Sequence, residues 1–114
     1  MDFSLQTLDQ GLLASLSGRL DHEGVASFEA RSQGLLDAAG ASCLVLDLAR
    51  LDYLSSEGLR ALVSLGQKAR ARGVSLAFCG LGGLVRDLFD ISGLFQVFTV
   101  AESPQAAFRA ARRG

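Results

Sequence analysis

Residues Cys43–Gly73 read CLVLDLARLDYLSSEGLRALVSLGQKARARG, and their reading decides the fold. Cys43 to Leu48 are almost continuously apolar, the pattern of a strand buried on both faces of a sheet. From Glu57 to about Arg72 the residues Leu59, Leu62, Val63, Gly66 and Ala69 recur with the helical period. Arg60, Gln67, Lys68 and Arg70 lie mostly outside that stripe, and Gly73 stands where a helix-ending glycine belongs. Between strand and helix lies LDYLSSEGL, Leu51–Leu59. Two serines, an acid and a glycine sit where the chain changes structure.

Working outward, the same strand-helix alternation continues in both directions. Phe3 to Asp9 alternates in its first part, with Phe3 and Leu5 apolar and Ser4 and Gln6 polar, and Leu12 to Leu16 is a short apolar run after the turn signal Gln10-Gly11, which predicts a hairpin. Gly18-Arg19-Leu20-Asp21 is expected to break the second strand, with Asp21 capping a helix. That helix carries Val25, Phe28, Leu35, Leu36 and Ala39 on one face and ends at Gly40. Beyond Gly73, Val74 to Cys79 reads as a strand and Gly80 to Gly83 as a turn. Leu84, Val85, Leu88 and Phe89 mark a short helix, and Phe95 to Val100 a fifth strand. Ser103-Pro104 opens a last helix, Ser as cap and Pro at the first helical position, with Ala106, Ala107, Phe108 and Ala111 on its packing face. The order is β-β-α-β-α-β-α-β-α. It predicts one α/β domain over residues 1–114, with a mixed five-stranded sheet, about four helices and right-handed crossovers between parallel strands.

Composition narrows the function. The chain has 114 residues, 49% hydrophobic and 20% charged, with a formal net charge of −1. No basic stripe with interleaved aromatics is present, so nucleic acid is not an expected partner. The basic cluster Arg109–Arg113 reads as a solvated last helical turn. No apolar run approaches the roughly 18 residues that a membrane span needs. The first residues lack the basic and apolar regions of a secretory signal. A cytoplasmic protein, monomeric when free and without direct membrane contact, is expected. Cys43 and Cys79 are expected to pack as small hydrophobes in a reducing compartment rather than to pair.

Chemistry of its own finds little support. His22 is the one histidine, and nothing in the spacing of His22, Asp52 and Ser56 compels a catalytic triad. The serine pair follows Leu54 and is not framed as a nucleophile elbow. Gly80-Leu81-Gly82-Gly83 is followed by Leu84-Val85, not by the Lys-Ser or Lys-Thr of a phosphate loop. One histidine and two separated cysteines do not make a zinc site. No enzyme activity, cofactor or metal is expected.

Ser55 and Ser56 remain. At the start of a helix, free N–H groups and the positive end of the dipole favour a phosphate on either hydroxyl. The same residues also read as a simple cap, with Ser56 capping, Glu57 adding a first-turn charge and Gly58 allowing close packing. The residues alone leave both readings open and favour the cap.

Here the chain resembles the STAS family, the domain of bacterial anti-sigma factor antagonists. The family hallmark is an Asp after a buried strand, two mostly apolar residues, Asp or Ser, Ser, a small residue, Gly and Leu. It is matched by Asp52-Tyr53-Leu54-Ser55-Ser56-Glu57-Gly58-Leu59, and a second family feature by Gly18-Arg19-Leu20-Asp21. The resemblance covers nearly the whole chain. It implies a protein-binding switch: the unphosphorylated antagonist binds an anti-sigma factor that is a serine-protein kinase, which frees a sigma factor. Phosphorylation ends the complex and a serine phosphatase resets it. Carried over, Ser56 is the phosphoacceptor, with Ser55 the neighbouring candidate. Asp21, Ser55, Ser56, Glu57, Gly58, Leu59 and Arg60 form the expected partner surface. Glu57 stands where the family prefers a small residue. Its carboxylate would repel an incoming phosphate, so Glu57 is expected to modulate the switch. The same resemblance admits an alternative, a non-enzymatic STAS subunit of a lipid-transport ABC ATPase complex.

Overall fold

In the computed structural model, which describes residues 1–39 and 43–113, the five strands lie in the sheet in their sequence order. They are β1 (Asp2–Leu8), β2 (Gly11–Leu20), β3 (Cys43–Leu54), β4 (Ser75–Cys79) and β5 (Thr99–Ala101). The helices are α1 (His22–Ala39), α2 (Ser56–Ala71), α3 (Gly83–Ile91) and α4 (Pro104–Arg113). The hairpin β1–β2 is antiparallel and the remaining pairs are parallel. This is the expected mixed sheet and element order.

Sequential parallel strands joined by crossovers of one hand must carry their helices on one face. Accordingly α1, α2 and α3 bury Phe28, Leu36, Leu62 and Phe89 against Leu16, Leu46 and Phe78 of the sheet. The other face is covered by α4, whose Ala107, Phe108 and Ala111 pack on Cys43, Val45, Ala77 and Cys79. Ser103 caps α4 as expected, its Oγ accepting from the Ala106 N–H at 3.1 Å. Both cysteines are buried and free. Burial pushes the Cys79 thiol up to about 12, with the charge and hydrogen bond of Asp47 adding to the effect.

Three boundaries and one packing face differ from the sequence reading. First, β2 does not break at Gly18 but runs on to Leu20. Its register against β3 shifts between Ser15 and Ser17 and between Gly18 and Arg19, and Gly18 takes φ +92°. Bulges absorb the irregularity, so Arg19 and Leu20 still pair with Tyr53 and Leu54. Second, β3 extends well past its apolar run to Leu54. Beyond Asp47 it is paired only with β2, and there buried Leu51 and Leu54 alternate with exposed Arg50 and Asp52. Third, β5 is only Thr99–Ala101. Phe95 and Phe98 turn inward instead, their rings 6.0 Å from Phe89 and 5.1 Å from Phe78. Fourth, α2 buries Gly58, Ala61, Leu62, Leu65 and Ala69, leaving Leu59 and Val63 half-buried.

The ends of α2 follow from local chemistry. At its C-terminus Gly73 has φ +73°, its N–H donates to Arg70 and that of Val74 to Ala69, the paired bonds of a glycine-terminated helix. In α1 the expected residues Phe28, Leu35, Leu36 and Ala39 are buried, together with Ser32, whose hydroxyl donates to the Phe28 carbonyl at 2.8 Å. The expected helix end at Gly40 lies outside the described residues.

Candidate functional site

Parallel pairing makes β2 and β3 end level, with Leu20 opposite Leu54. Each strand passes into a helix after a single residue, so two helix N-termini stand side by side. Asp21 caps α1, its Oδ1 accepting from the N–H groups of Glu23 at 3.2 Å and Gly24 at 3.3 Å. Ser55 caps α2 from an extended backbone, φ −83° and ψ 170°. Its Oγ accepts from the Gly58 N–H at 3.0 Å.

Ser55 also joins the two junctions. The Leu20 carbonyl accepts from the Ser55 N–H at 3.0 Å and from its hydroxyl at 3.3 Å. Gly58 is required by the same approach. A Cβ there would lie 2.5 Å from the Leu20 carbonyl oxygen and 2.9 Å from Leu54 Cδ1. The first turn of α2 therefore rests directly on the end of β2.

The expected cap, Ser56, is one residue too late. Because β3 continues through Leu54, the cap falls on Ser55 and Ser56 becomes the first helical residue. Ser56 is exposed, and among the described residues its hydroxyl makes no hydrogen bond. The N–H groups of Ser56 and Glu57 have no acceptor within the helix, and the dipole adds partial positive charge beside the Ser56 hydroxyl. There is no intervening loop: strand, cap and helix follow one another directly.

Charges surround this serine. His22 Nδ1 and Glu57 Oε2 lie 2.7 Å apart, joining the first turn of α1 to that of α2. The hydrogen bond and charge of Glu57 raise the His22 pKa above its ordinary value against an opposing desolvation effect, and the carboxylates of Glu23 and Asp21 add smaller contributions. Arg19 lies with its Nε 3.6 Å from Asp21 Oδ2 and its guanidinium over the Tyr53 ring, 4.2 Å from the centroid. The Asp21 carboxyl is held below its usual value: a desolvation effect that raises it is outweighed by the Gly24 and Glu23 N–H groups and by Arg19.

Asp21, Ser55, Ser56, Glu57 and Gly58 thus stand together where β2 and β3 end. Arg60 is exposed on α2, while Leu59 is half-buried and packs against the core. The partner of His22 Nδ1 is Glu57, not Asp52. Arg19, Tyr53 and the His22–Glu57 pair were not marked by the sequence. A cation and an aromatic at the ends of neighbouring strands were the only available sign. Among the described residues no group of three or more His, Cys, Asp or Glu side chains could hold a metal ion. No helix among them is long and apolar enough to cross a membrane.

Comparison with known proteins places this geometry in context. The family model of the STAS domain matches residues 2–107. BtrV of Bordetella bronchiseptica, a protein named as an anti-sigma factor antagonist, is 36% identical over 107 residues, covering 94% of this chain and 91% of its own. The crystal structure of an anti-sigma factor antagonist from Mycobacterium paratuberculosis aligns with a TM-score of 0.82 at 22% identity, covering 97% of this chain and 93% of that one. The Bacillus cell fate determinant SpoIIAA, solved in its phosphorylated form, aligns with a TM-score of 0.69 at 21% identity, covering 95% of this chain and 98% of its own.

Proposed function

The chain belongs to the STAS family, and from that footing we propose that it is an anti-sigma factor antagonist switched off by phosphorylation of Ser56. The observation that carries the reading is the division of labour between the two serines. The Ser55 hydroxyl is committed to the Gly58 N–H and the Leu20 carbonyl, whereas that of Ser56 is exposed at the first position of α2. A kinase can reach Ser56 without dismantling the cap. The names of BtrV and of the Mycobacterium protein, and the phosphorylated form of SpoIIAA, support the same reading.

In this mechanism the unphosphorylated surface binds an anti-sigma factor that is itself a serine-protein kinase. The surface comprises Asp21, Ser55 to Gly58 and the exposed side of α2 with Arg60. Binding releases the sigma factor. Transfer of the γ-phosphoryl group of ATP to Ser56 Oγ, with loss of its proton, places close to two negative charges on that surface. The helix N-terminus accommodates them locally, but a partner fitted to a neutral hydroxyl meets a desolvated charge and leaves. A serine phosphatase returns the hydroxyl. The chain supplies no catalysis of its own and works in the cytoplasm.

Two measurements test this. Ser56→Asp should weaken binding to the cognate anti-sigma factor at least tenfold, about 1.4 kcal/mol, with unchanged circular dichroism. Mass spectrometry after incubation with that kinase and ATP should place the phosphate on Ser56. Wild-type affinity in Ser56→Asp, or phosphate on Ser55 alone, would overturn the assignment.

A further inference from the structure

An acid beside a serine that is switched by charge is an electrostatic problem, and the structure contains its counterweight. Glu57 follows Ser56 directly and would repel an incoming phosphate. Its Oε2, however, is held at 2.7 Å by His22 Nδ1, reaching across from the first turn of α1. Taking Ser56 as the phosphoacceptor, as above, we propose that His22 is the counter-charge of the site: it neutralises Glu57 in the unmodified chain and is shared with the phosphate in the modified one.

The placement supports this in three ways. The pair spans the two helix N-termini that Leu20 and Ser55 already lock together, so the His22 backbone is fixed relative to Ser56. The imidazole is largely exposed, its side chain 83% accessible, and free to turn from a carboxylate to a phosphate oxygen. Of the other cations near the site, Arg19 is occupied by Asp21 and the Tyr53 ring, and Arg60 stands one turn further along α2. The groups facing His22 are Glu57 from α2 and Glu23 and Asp21 from its own helix start. On the β1 side Met1 lies beside Gly24. Each carboxylate favours the charged imidazole, and a phosphate on Ser56 would add to them. Phosphorylation then changes the net surface charge by less than the phosphate alone, because a more fully protonated His22 accompanies it.

The chain has one histidine, so its titration can be followed without ambiguity. The full chain would be made with phosphoserine inserted at position 56 during translation, in wild-type and Glu57→Gln backgrounds. The imidazole would be titrated by NMR, with the unmodified chains alongside. Glu57→Gln should lower the His22 midpoint in the unmodified chain, and phosphoserine should raise it in both backgrounds, by less at high salt. A midpoint unmoved by Glu57→Gln would overturn the neutralisation, and one unmoved by phosphoserine in Glu57→Gln would overturn the sharing. Circular dichroism identifies any chain that fails to fold, and Ser56→Asp in the Glu57→Gln background then supplies the added charge in its place, with the same expected direction and the same unmoved midpoint overturning the sharing. Because the phosphate is installed without a kinase, these outcomes are separate from failure of the phosphoacceptor reading, which the mass-spectrometric experiment detects.

Discussion

The hydroxyl of Ser55 donates to the Leu20 carbonyl at 3.3 Å and accepts from the Gly58 N–H at 3.0 Å. One small side chain thus caps α2 and ties it to the end of a strand 35 residues earlier in the chain. The adjacent serine does neither.

That asymmetry predicts unequal costs for equivalent mutations. Ser55→Ala should destabilise the protein by about 1 kcal/mol, the usual loss for a helix cap. Ser56→Ala should remain within about 0.5 kcal/mol of wild type, as for exposed positions away from special contacts. Urea unfolding of the two variants measures both. Equal losses would contradict the assigned cap.

Gly58→Ala tests the close approach. An added methyl would meet the Leu20 carbonyl oxygen at 2.5 Å and the Leu54 side chain at 2.9 Å. The backbone partner cannot rotate away, so the first turn of α2 must shift. A loss of about 1–3 kcal/mol is expected, the range for overpacking. Lost contact between His22 and Glu57 should accompany it, read from the histidine titration.

The His22–Glu57 pair makes stability depend on pH with a definite sign. Folding raises the His22 pKa from an ordinary 6.5. The pair's contribution is therefore complete below that ordinary value and lost as pH rises through the folded one. The difference in urea midpoint between wild type and His22→Ala should be largest below pH 6.5 and shrink as pH rises above it. Glu57→Gln should remove most of that dependence.

Cys79 should be inert to alkylating reagents in the folded protein. It is fully buried, and its thiol is pushed up to about 12 by burial and by Asp47. At pH 8 almost no thiolate is present, so labelling should proceed at the rate of unfolding and accelerate in urea. Fast labelling of the native chain would contradict the packing of α4 over β4.

Sequence periodicity made the central strand Cys43 to Leu48, the helix after it and the sheet architecture legible, because buried faces leave a repeating apolar signal. It failed where pairing is one-sided. Gly18 and Arg19 look like a strand end, yet a bulge carries them on. Arg50 and Asp52 look like a loop, yet they are the exposed side of an extended strand. The choice between Ser55 and Ser56 as cap turned on where β3 stopped, a one-residue boundary that propensities do not resolve. The resemblance pointed to the serines and Asp21, but His22 meets Glu57 only because β2 and β3 are parallel neighbours that end level. No local pattern encodes a pair 35 residues apart.

The sequential strand order has a consequence for breathing of the native state. Every hydrogen bond described around Ser56 is made within β2, α1, β3 and the first turn of α2. At the opposite edge, β5 is three residues long and, among the described residues, β4 is its only strand partner. Partial opening of a protein follows such weakly held units. Amide exchange should therefore find β5 exchanging well before the Leu20–Ser55 bond. A chain frayed at that edge would still present its serine intact.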